Sequence, residues 1–422
     1  VKILFVHQNF PGQFLRLAPA LAARGHQVAA LTAEGNARAA TVPVHRYRNP
    51  APRPDPAQAR LGTTFAEMTD RALRAARAAR QLRDRHGFVP DLIFGHAGWG
   101  ETLFLREIWP EARLAVYAEF YYATRGLDVG FDAEFGPVTD DRAFAVTARQ
   151  AHHALAMAQA DSALAPTRFQ AGTFPACFQD KIAVIHDGID TDRVRPDPAA
   201  RVTLPSGLVL APGDEVLTFV NRNLEPYRGF HTFMRALPAV MAARPRAQVV
   251  IVGGDAVSYG GPPPGGGSWR ARLLAEVGDR LDLSRVHFLG NVPYSAFVAL
   301  MQVARVHCYL TVPFVLSWSA LEAMAAGALL VGSRTAPVAE VVTDGETGLL
   351  VDFPDPAALA DTLTRALADP DSTAPLRAAA RARMVADYDL SRVCLPRLIA
   401  FVECVAGAQP GGGSSPIRST LP

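Results

Sequence analysis

Twice along its length the chain alternates short apolar runs with longer segments of helical period. Runs at 2–6, 27–31, 92–95, 114–119 and 162–165 read as strands, with helices expected over 12–24, 65–85 and 144–160. Such alternation predicts a parallel sheet covered by helices. The arrangement restarts after Pro205, with strands at 215–221, 248–252, 286–289, 306–310 and 328–332 and helices at 229–243 and 319–326. The expected fold class is therefore α/β: two doubly wound domains facing each other across a cleft. A stretch at 191–205, punctuated by Pro196, Pro198 and Pro205, reads as the boundary because it is too poor in apolar residues to be core. This divides the chain into 1–190 and 191–388. Residues 389–406 read as a final helix expected to pack back on the first domain, and 407–422, rich in Gly, Ser and Pro, as a disordered tail. Residues 260–267, Gly-Gly-Pro-Pro-Pro-Gly-Gly-Gly, offer nothing apolar to bury and read as an exposed loop.

Composition narrows the function classes. With 42 Lys+Arg against 40 Asp+Glu the net charge is +2, too little to grip a polyanion, so nucleic acid is not an expected partner. Hydrophobic content of 49% over 422 residues is ample for two cores. Four scattered cysteines outline neither a disulfide framework nor a zinc site. No uncharged stretch has the length of a membrane span, and the expected location is cytoplasmic.

Ligands of doubly wound sheets bind beyond the carboxyl ends of the strands, so the strand exits are where chemistry is expected. After the second domain's first strand comes Asn-Arg-Asn-Leu-Glu-Pro-Tyr-Arg-Gly, which sets Arg222 and Arg228 where two guanidinium forks can clamp a diphosphate. The alternative is a solvated surface pair. Further on, Ser317 or Ser319 can cap a helix whose free N–H groups make an anion site. Glu322 lies one turn inside that helix among apolar neighbours, where a carboxylate can accept hydrogen bonds from a ribose diol or, alternatively, serve the helix dipole.

These features resemble the retaining, family-4-type glycosyltransferases. The likeness is carried by Arg222/Arg228-Gly229, Gly253-Gly254-Asp255, Phe288-Leu289-Gly290-Asn291-Val292, the Ser317–Gly327 stretch and Asp344-Gly345-Glu346-Thr347-Gly348. It covers most of the second domain and is looser in the first. It implies the GT-B fold, built of two Rossmann-like domains, and transfer of a sugar from a nucleotide-diphosphate sugar to an acceptor hydroxyl with retention of configuration. The setting would be polysaccharide or glycoconjugate biosynthesis, with a saccharide, lipid-linked or small-molecule acceptor. Carried over, Arg222 and Arg228 hold the diphosphate, Glu322 the ribose, backbone at Asn291 and Val292 the base, and Gly12 leaves room for phosphate and sugar, although an ordinary Pro-Gly turn would also explain that glycine. One departure stands out: the glutamate the family usually carries eight positions before Glu322 is Phe314 here. Ser317 and nearby amides are the available substitutes.

Where the family often has a histidine, this chain has Glu119, our candidate to contact the transferred sugar or the acceptor hydroxyl; a structural pair with Arg125 is the competing account. His96 borders the same strand exits and is assigned to the acceptor side, with a structural role as its alternative. His152 and His153 are assigned no role. The Asp-X-Asp triplets begin at Asp190, Asp369 and Asp387, away from donor-domain strand exits, so no metal cofactor is expected and the arginines with the helix N-terminus neutralise the diphosphate. The resemblance favours front-face departure, with the leaving phosphate taking the acceptor's proton. Arginines at every third position of 71–83 form a basic flank that could rest on anionic lipid, or simply a solvated face. A catalytically silent nucleotide-sugar-binding protein, and an epimerase or hydrolase on the same fold, are the alternative functions.

Overall fold

The computed structural model describes residues 1–48 and 60–407; the tail read at 407–422 lies, but for Gly407, outside them. Two compact units emerge: Val1–Asp187 together with the residues from Ser391 onward, and Gly188–Leu390.

The first unit carries β1 (Lys2–Val6), β2 (Gln27–Ala33), β3 (Val44–Tyr47), β4 (Leu92–His96), β5 (Arg113–Tyr117), β6 (Ser162–Ala165) and β7 (Ile182–Val184). They form one sheet in the order β3-β2-β1-β4-β5-β6-β7, with every neighbouring pair parallel. The edge strands β3 and β7 escape the sequence reading because they are short; Val-His-Arg-Tyr has too few apolar residues to register. Side chains alternate between the faces. Leu4, Val6, Leu31, Ile93, Leu114 and Val116 pack under the helices Thr63–His86 and Asp140–Gln159. Ile3, Phe5, Phe94 and Tyr117 face the opposite way, against the helices Leu17–Ala23 and Leu395–Gly407, the latter contributing Leu398, Phe401, Val402 and Val405. Glu403 of that last helix accepts from Arg24 Nε at 2.8 Å and lies 3.1 Å from His26 Nε2. The helix expected over 12–24 splits into a 3-10 turn, Gly12–Phe14, and Leu17–Ala23, since Gly12 enters with φ +50°.

The helix Thr63–His86 buries Ala72, Ala75, Ala79 and Leu82, small residues that allow close approach to the sheet. Its basic flank is divided. Arg71 donates to the Trp99 carbonyl, Arg83 to that of Ile108, and Arg74 pairs with Asp70, while Arg77, Arg80 and Arg85 are exposed. Among the described residues no helix is long and apolar enough to cross a membrane.

The second unit opens with a hairpin, β8 (Val202–Thr203) and β9 (Val209–Leu210), and continues with β10 (Val216–Asn223), β11 (Gln248–Gly254), β12 (Val286–Gly290), β13 (Val306–Tyr309), β14 (Leu329–Ser333) and β15 (Leu349–Val351). The six make a second parallel sheet, β12-β11-β10-β13-β14-β15. Residues 191–205 are not a linker. Val194 is fully buried with Ala200 and Leu204 in this unit's core. Thr191 hydrogen-bonds Asp389, and Arg381 donates to the Thr191 and Val194 carbonyls. The seam therefore falls at Asp187/Gly188, because three well-placed apolar residues anchor a segment whose average composition is polar.

In each sheet the strand order reverses at one point, between β1 and β4 and between β10 and β13. These are the crevices where doubly wound sheets take ligands.

The glycine that follows Arg228 tests this packing. Gly229 holds φ +68°, and a Cβ there would lie 2.3 Å from Leu310 Cβ. Gly229→Ala is expected to lose about 2–4 kcal/mol of unfolding free energy in urea titration. Gly25→Ala, at φ +87° with nothing within 4 Å of the added carbon, should lose only about 1–2 kcal/mol.

Candidate functional site

At the β10–β13 reversal the chain leaves β10 through Arg222 and Asn223 and turns at the 3-10 segment Pro226–Arg228. Arg222 is exposed, whereas Arg228 is buried. Nη1 of Arg228 donates towards Tyr309 Oη (3.1 Å) at the end of β13 and, beyond that strand, towards Thr311 Oγ1 (2.8 Å) and the Val315 carbonyl (2.8 Å). Its guanidinium carbon lies 5.2 Å from the Tyr259 ring centre and 5.4 Å from that of Phe314. Burial works against the charge, but the surrounding phenols of Tyr309, Tyr259 and Tyr227 outweigh it, and the group is held above the ordinary arginine value. Among the described residues no carboxylate pairs with it: the chain buries a cation and surrounds it with neutral acceptors and aromatic rings. An anion brought to such a group gains a charge-assisted bond at low dielectric.

The helix Trp318–Ala326 starts beside it. Ser317 caps it, its Oγ accepting from Ser319 N at 3.3 Å and lying 3.0 Å from Ser319 Oγ, and Ser317 N donates to Tyr309 Oη at 2.8 Å. Tyr309, which the sequence reading missed, thus takes one bond from the guanidinium and one from the helix cap. Glu322 is buried a turn farther in and accepts from Tyr294 Oη at 2.7 Å. Burial raises its carboxyl, and the tyrosine bond only partly offsets this. Tyr294 was also missed; an aromatic residue at the start of an apolar helix carries no local signal of that partnership. Gly290, at φ +63°, ends β12 and presents Asn291 exposed and Val292 half-buried against the core. A Cβ on Gly254 would come within 2.6 Å of Asn223 Oδ1 and 3.6 Å of Asn291 Nδ2, so these strand exits crowd together. Phe314 is buried, its ring centre 5.0 Å from those of Tyr227 and Tyr259.

The first unit's reversal gathers a different chemistry. His7 follows β1, His96 ends β4 and Glu119 lies just past β5. Glu119 accepts from Gln13 Nε2 at 3.2 Å and sits 3.5 Å from His96 Nε2. His96 Nδ1 accepts from Gly98 N at 3.0 Å, which places its proton on the nitrogen facing the carboxylate. Burial pushes the Glu119 carboxyl up, but the facing His96, with His7 and the Gln13 bond, outweighs it and holds the group below the usual carboxylate range. Arg125 is exposed and is not its partner; Gln13 and His96 take that place. The missing side chain of Gly12 has a reason within the fold, since a Cβ there would lie 2.9 Å from the His7 ring.

His152 and His153 reach the same place from the helix Asp140–Gln159. With His96, Trp99, Glu119, Tyr122 and Arg149 they line a cavity of about 100 Å³. Their signal in the sequence was a pair of imidazoles on the buried face of a helix, which alone cannot tell core from site. Burial pushes His7 down to about 3, with His96 adding to it, and His152 down to about 4; His153 is also held well below its ordinary value by burial. The unfolded chain takes up these protons near the ordinary value of 6.5, which the folded chain cannot do. Stability is therefore fully present above pH 6.5 and is lost as pH falls towards 4. Thermal unfolding at stepped pH should show this decline, and His152→Gln should flatten it by on the order of 2–3 kcal/mol across the window.

Comparison with known proteins follows the same division. The family model for the glycosyl transferase family 4 group matches residues 24–194, and that for glycosyl transferases group 1 matches 205–383. The D-inositol 3-phosphate glycosyltransferase of Corynebacterium urealyticum is 32% identical over 195 residues, 45% of this chain and 44% of the relative. A GDP-mannose-dependent alpha-(1-6)-phosphatidylinositol monomannoside mannosyltransferase of Mycolicibacterium smegmatis is 29% identical over 51% of this chain and 55% of its own. The chain thus spans about half the length of the curated relatives it matches. Among solved structures, sucrose-phosphate synthase from Thermosynechococcus elongatus aligns with a TM-score of 0.72 at 19% identity, over 96% of this chain and 100% of that one. Anabaena HepE in complex with UDP-glucose aligns at 0.64 and 17%, over 96% and 99%. These likenesses show the fold. With one family model on each Rossmann-like unit, the chain belongs to the family-4-type glycosyltransferases of GT-B fold.

Proposed function

We propose that this chain transfers a glycosyl group from a nucleoside diphosphate sugar to an acceptor hydroxyl, with retention of anomeric configuration. The observation that carries the reading is the buried guanidinium of Arg228, tied through Tyr309 to the capped start of the helix Trp318–Ala326, with Glu322 a turn farther in. Charge accumulates on the leaving diphosphate as the glycosyl bond breaks. A preorganised cation and a helix N-terminus stabilise that charge without reorganising. Glu322, pre-bonded to Tyr294, is the acceptor for a ribose hydroxyl, and Asn291 and Val292 offer main chain to the base. Arg222, exposed at the exit of β10, is the second cation for the diphosphate.

The acceptor belongs to the first unit in this reading. Glu119, kept ionised by His96 and Gln13, accepts a hydrogen bond from an acceptor or sugar hydroxyl, and the leaving phosphate receives the acceptor's proton. A saccharide or lipid-linked polyol of a glycoconjugate pathway fits. The exposed Arg77, Arg80 and Arg85 are the residues that would meet an anionic membrane surface in the lipid-linked case. Since Arg228 and the helix supply the positive potential, we propose that no divalent cation is required.

Thermal shift against a panel of nucleotide sugars is the direct test. The matching donor should raise the melting temperature of the wild type, and Arg228→Ala should abolish the shift; retained full affinity in that variant would remove the site assignment. Release of nucleoside diphosphate only in the presence of acceptor separates a transferase from a silent binding protein, the reading favoured if burial of Phe314 has removed activity. Turnover without acceptor would point to a hydrolase or epimerase. Initial rates in EDTA are expected to match those in magnesium, and a loss of more than about tenfold, some 1.4 kcal/mol of barrier, would overturn metal independence.

A further inference from the structure

The loop at 260–267, which by composition has nothing to anchor it, is anchored from one end by a buried carboxylate. Glu225 accepts from three successive backbone amides, those of Ser258 (3.3 Å), Tyr259 (3.2 Å) and Gly260 (2.9 Å). Asn223 Nδ2 donates to Ser258 Oγ at 2.7 Å, and Trp269 Nε1 to the Gly261 carbonyl at 2.8 Å. Consecutive amides converging on one anion form a rigid nest. Its effect is to lay Tyr259 over Arg228 and Phe314 and to stack it on Tyr227, with ring centres 5.7 Å apart.

The parts lie in an order. Glu322 is inside the helix, Ser317 caps it and bonds Tyr309, Tyr309 accepts from Arg228, and Arg228 meets the aromatic rings. A donor with its ribose at Glu322 and its diphosphate at the helix cap and Arg228 sends its glycosyl group on towards those rings. Phe314, where the family has a carboxylate, is 3% exposed and closed over by Tyr227 and Tyr259, so it offers the sugar no surface. Tyr259 is 39% exposed. We propose that Tyr259 is the specificity-determining wall of the donor-sugar subsite, stacking on a C–H face of a neutral hexosyl group, and that Glu225 is the positioning residue that holds it there. The inference rests on the donor-site reading above. An aromatic face gains contact area with a ring whose hydrogens point to one side and requires no hydroxyl to accept from.

Calorimetric titration with UDP-glucose, GDP-mannose and ADP-glucose, each beside its free diphosphate, separates the two. In the wild type one nucleotide sugar and its diphosphate bind. Tyr259→Ala should weaken the nucleotide sugar about tenfold and leave the free diphosphate within about twofold. Tyr259→Phe should keep both, and Glu225→Gln should follow Tyr259→Ala without a matching fall in melting temperature. A Tyr259→Ala variant that weakens both ligands equally, or neither, overturns the inference while leaving Arg228 as the diphosphate anchor. Absence of binding by all three wild-type pairs instead defeats the donor-site reading, and this inference with it.

Discussion

A buried guanidinium needs partners, and those of Arg228 come from the far side of a strand boundary. Tyr309 ends β13, and Thr311 and Val315 follow it, whereas Arg228 follows β10. The parallel pairing of these two strands brings them within reach, and the same phenol that accepts from the arginine accepts from the helix cap. Losing Tyr309's hydroxyl would therefore loosen two components of the proposed anion site together. Because among the described residues no carboxylate pairs with the cation, its desolvation is offset by neutral dipoles and rings, which leaves it disposed towards an incoming anion.

The first unit follows the opposite electrostatic plan. Its strand exits collect imidazoles kept neutral by burial around a carboxylate kept ionised by hydrogen bonds. The carboxylate of Glu119 is met by Gln13, after β1, and by His96, at the end of β4, so its orientation depends on the sheet order rather than on its sequence neighbours. In the proposed reading this side meets the acceptor, as the cationic one meets the diphosphate.

Much of this was legible without coordinates. Periodicity located the central strands to within a residue or two, because buried parallel strands are near-continuous apolar runs. It missed β3, β7, β8, β9 and β15, which lie at sheet edges or in a separate hairpin and are only two to four residues long. Arg228, Ser317 and Glu322 were nominated from their place after strands. Tyr294, Tyr309 and Glu225 were not, since each acts through a partner distant in sequence or through backbone amides, and neither leaves a local pattern.

The order of residue types along the chain was enough to establish two α/β units and to nominate charged groups at strand exits, since both follow from short-range periodicity. Which groups are buried, and which share a phenol, a carboxylate or a ring, depended on strands distant in sequence lying side by side. Burial and hydrogen bonding set the charge state of Glu119, the strength of the Arg228 site and the placing of Tyr259, and those are properties of three-dimensional neighbours.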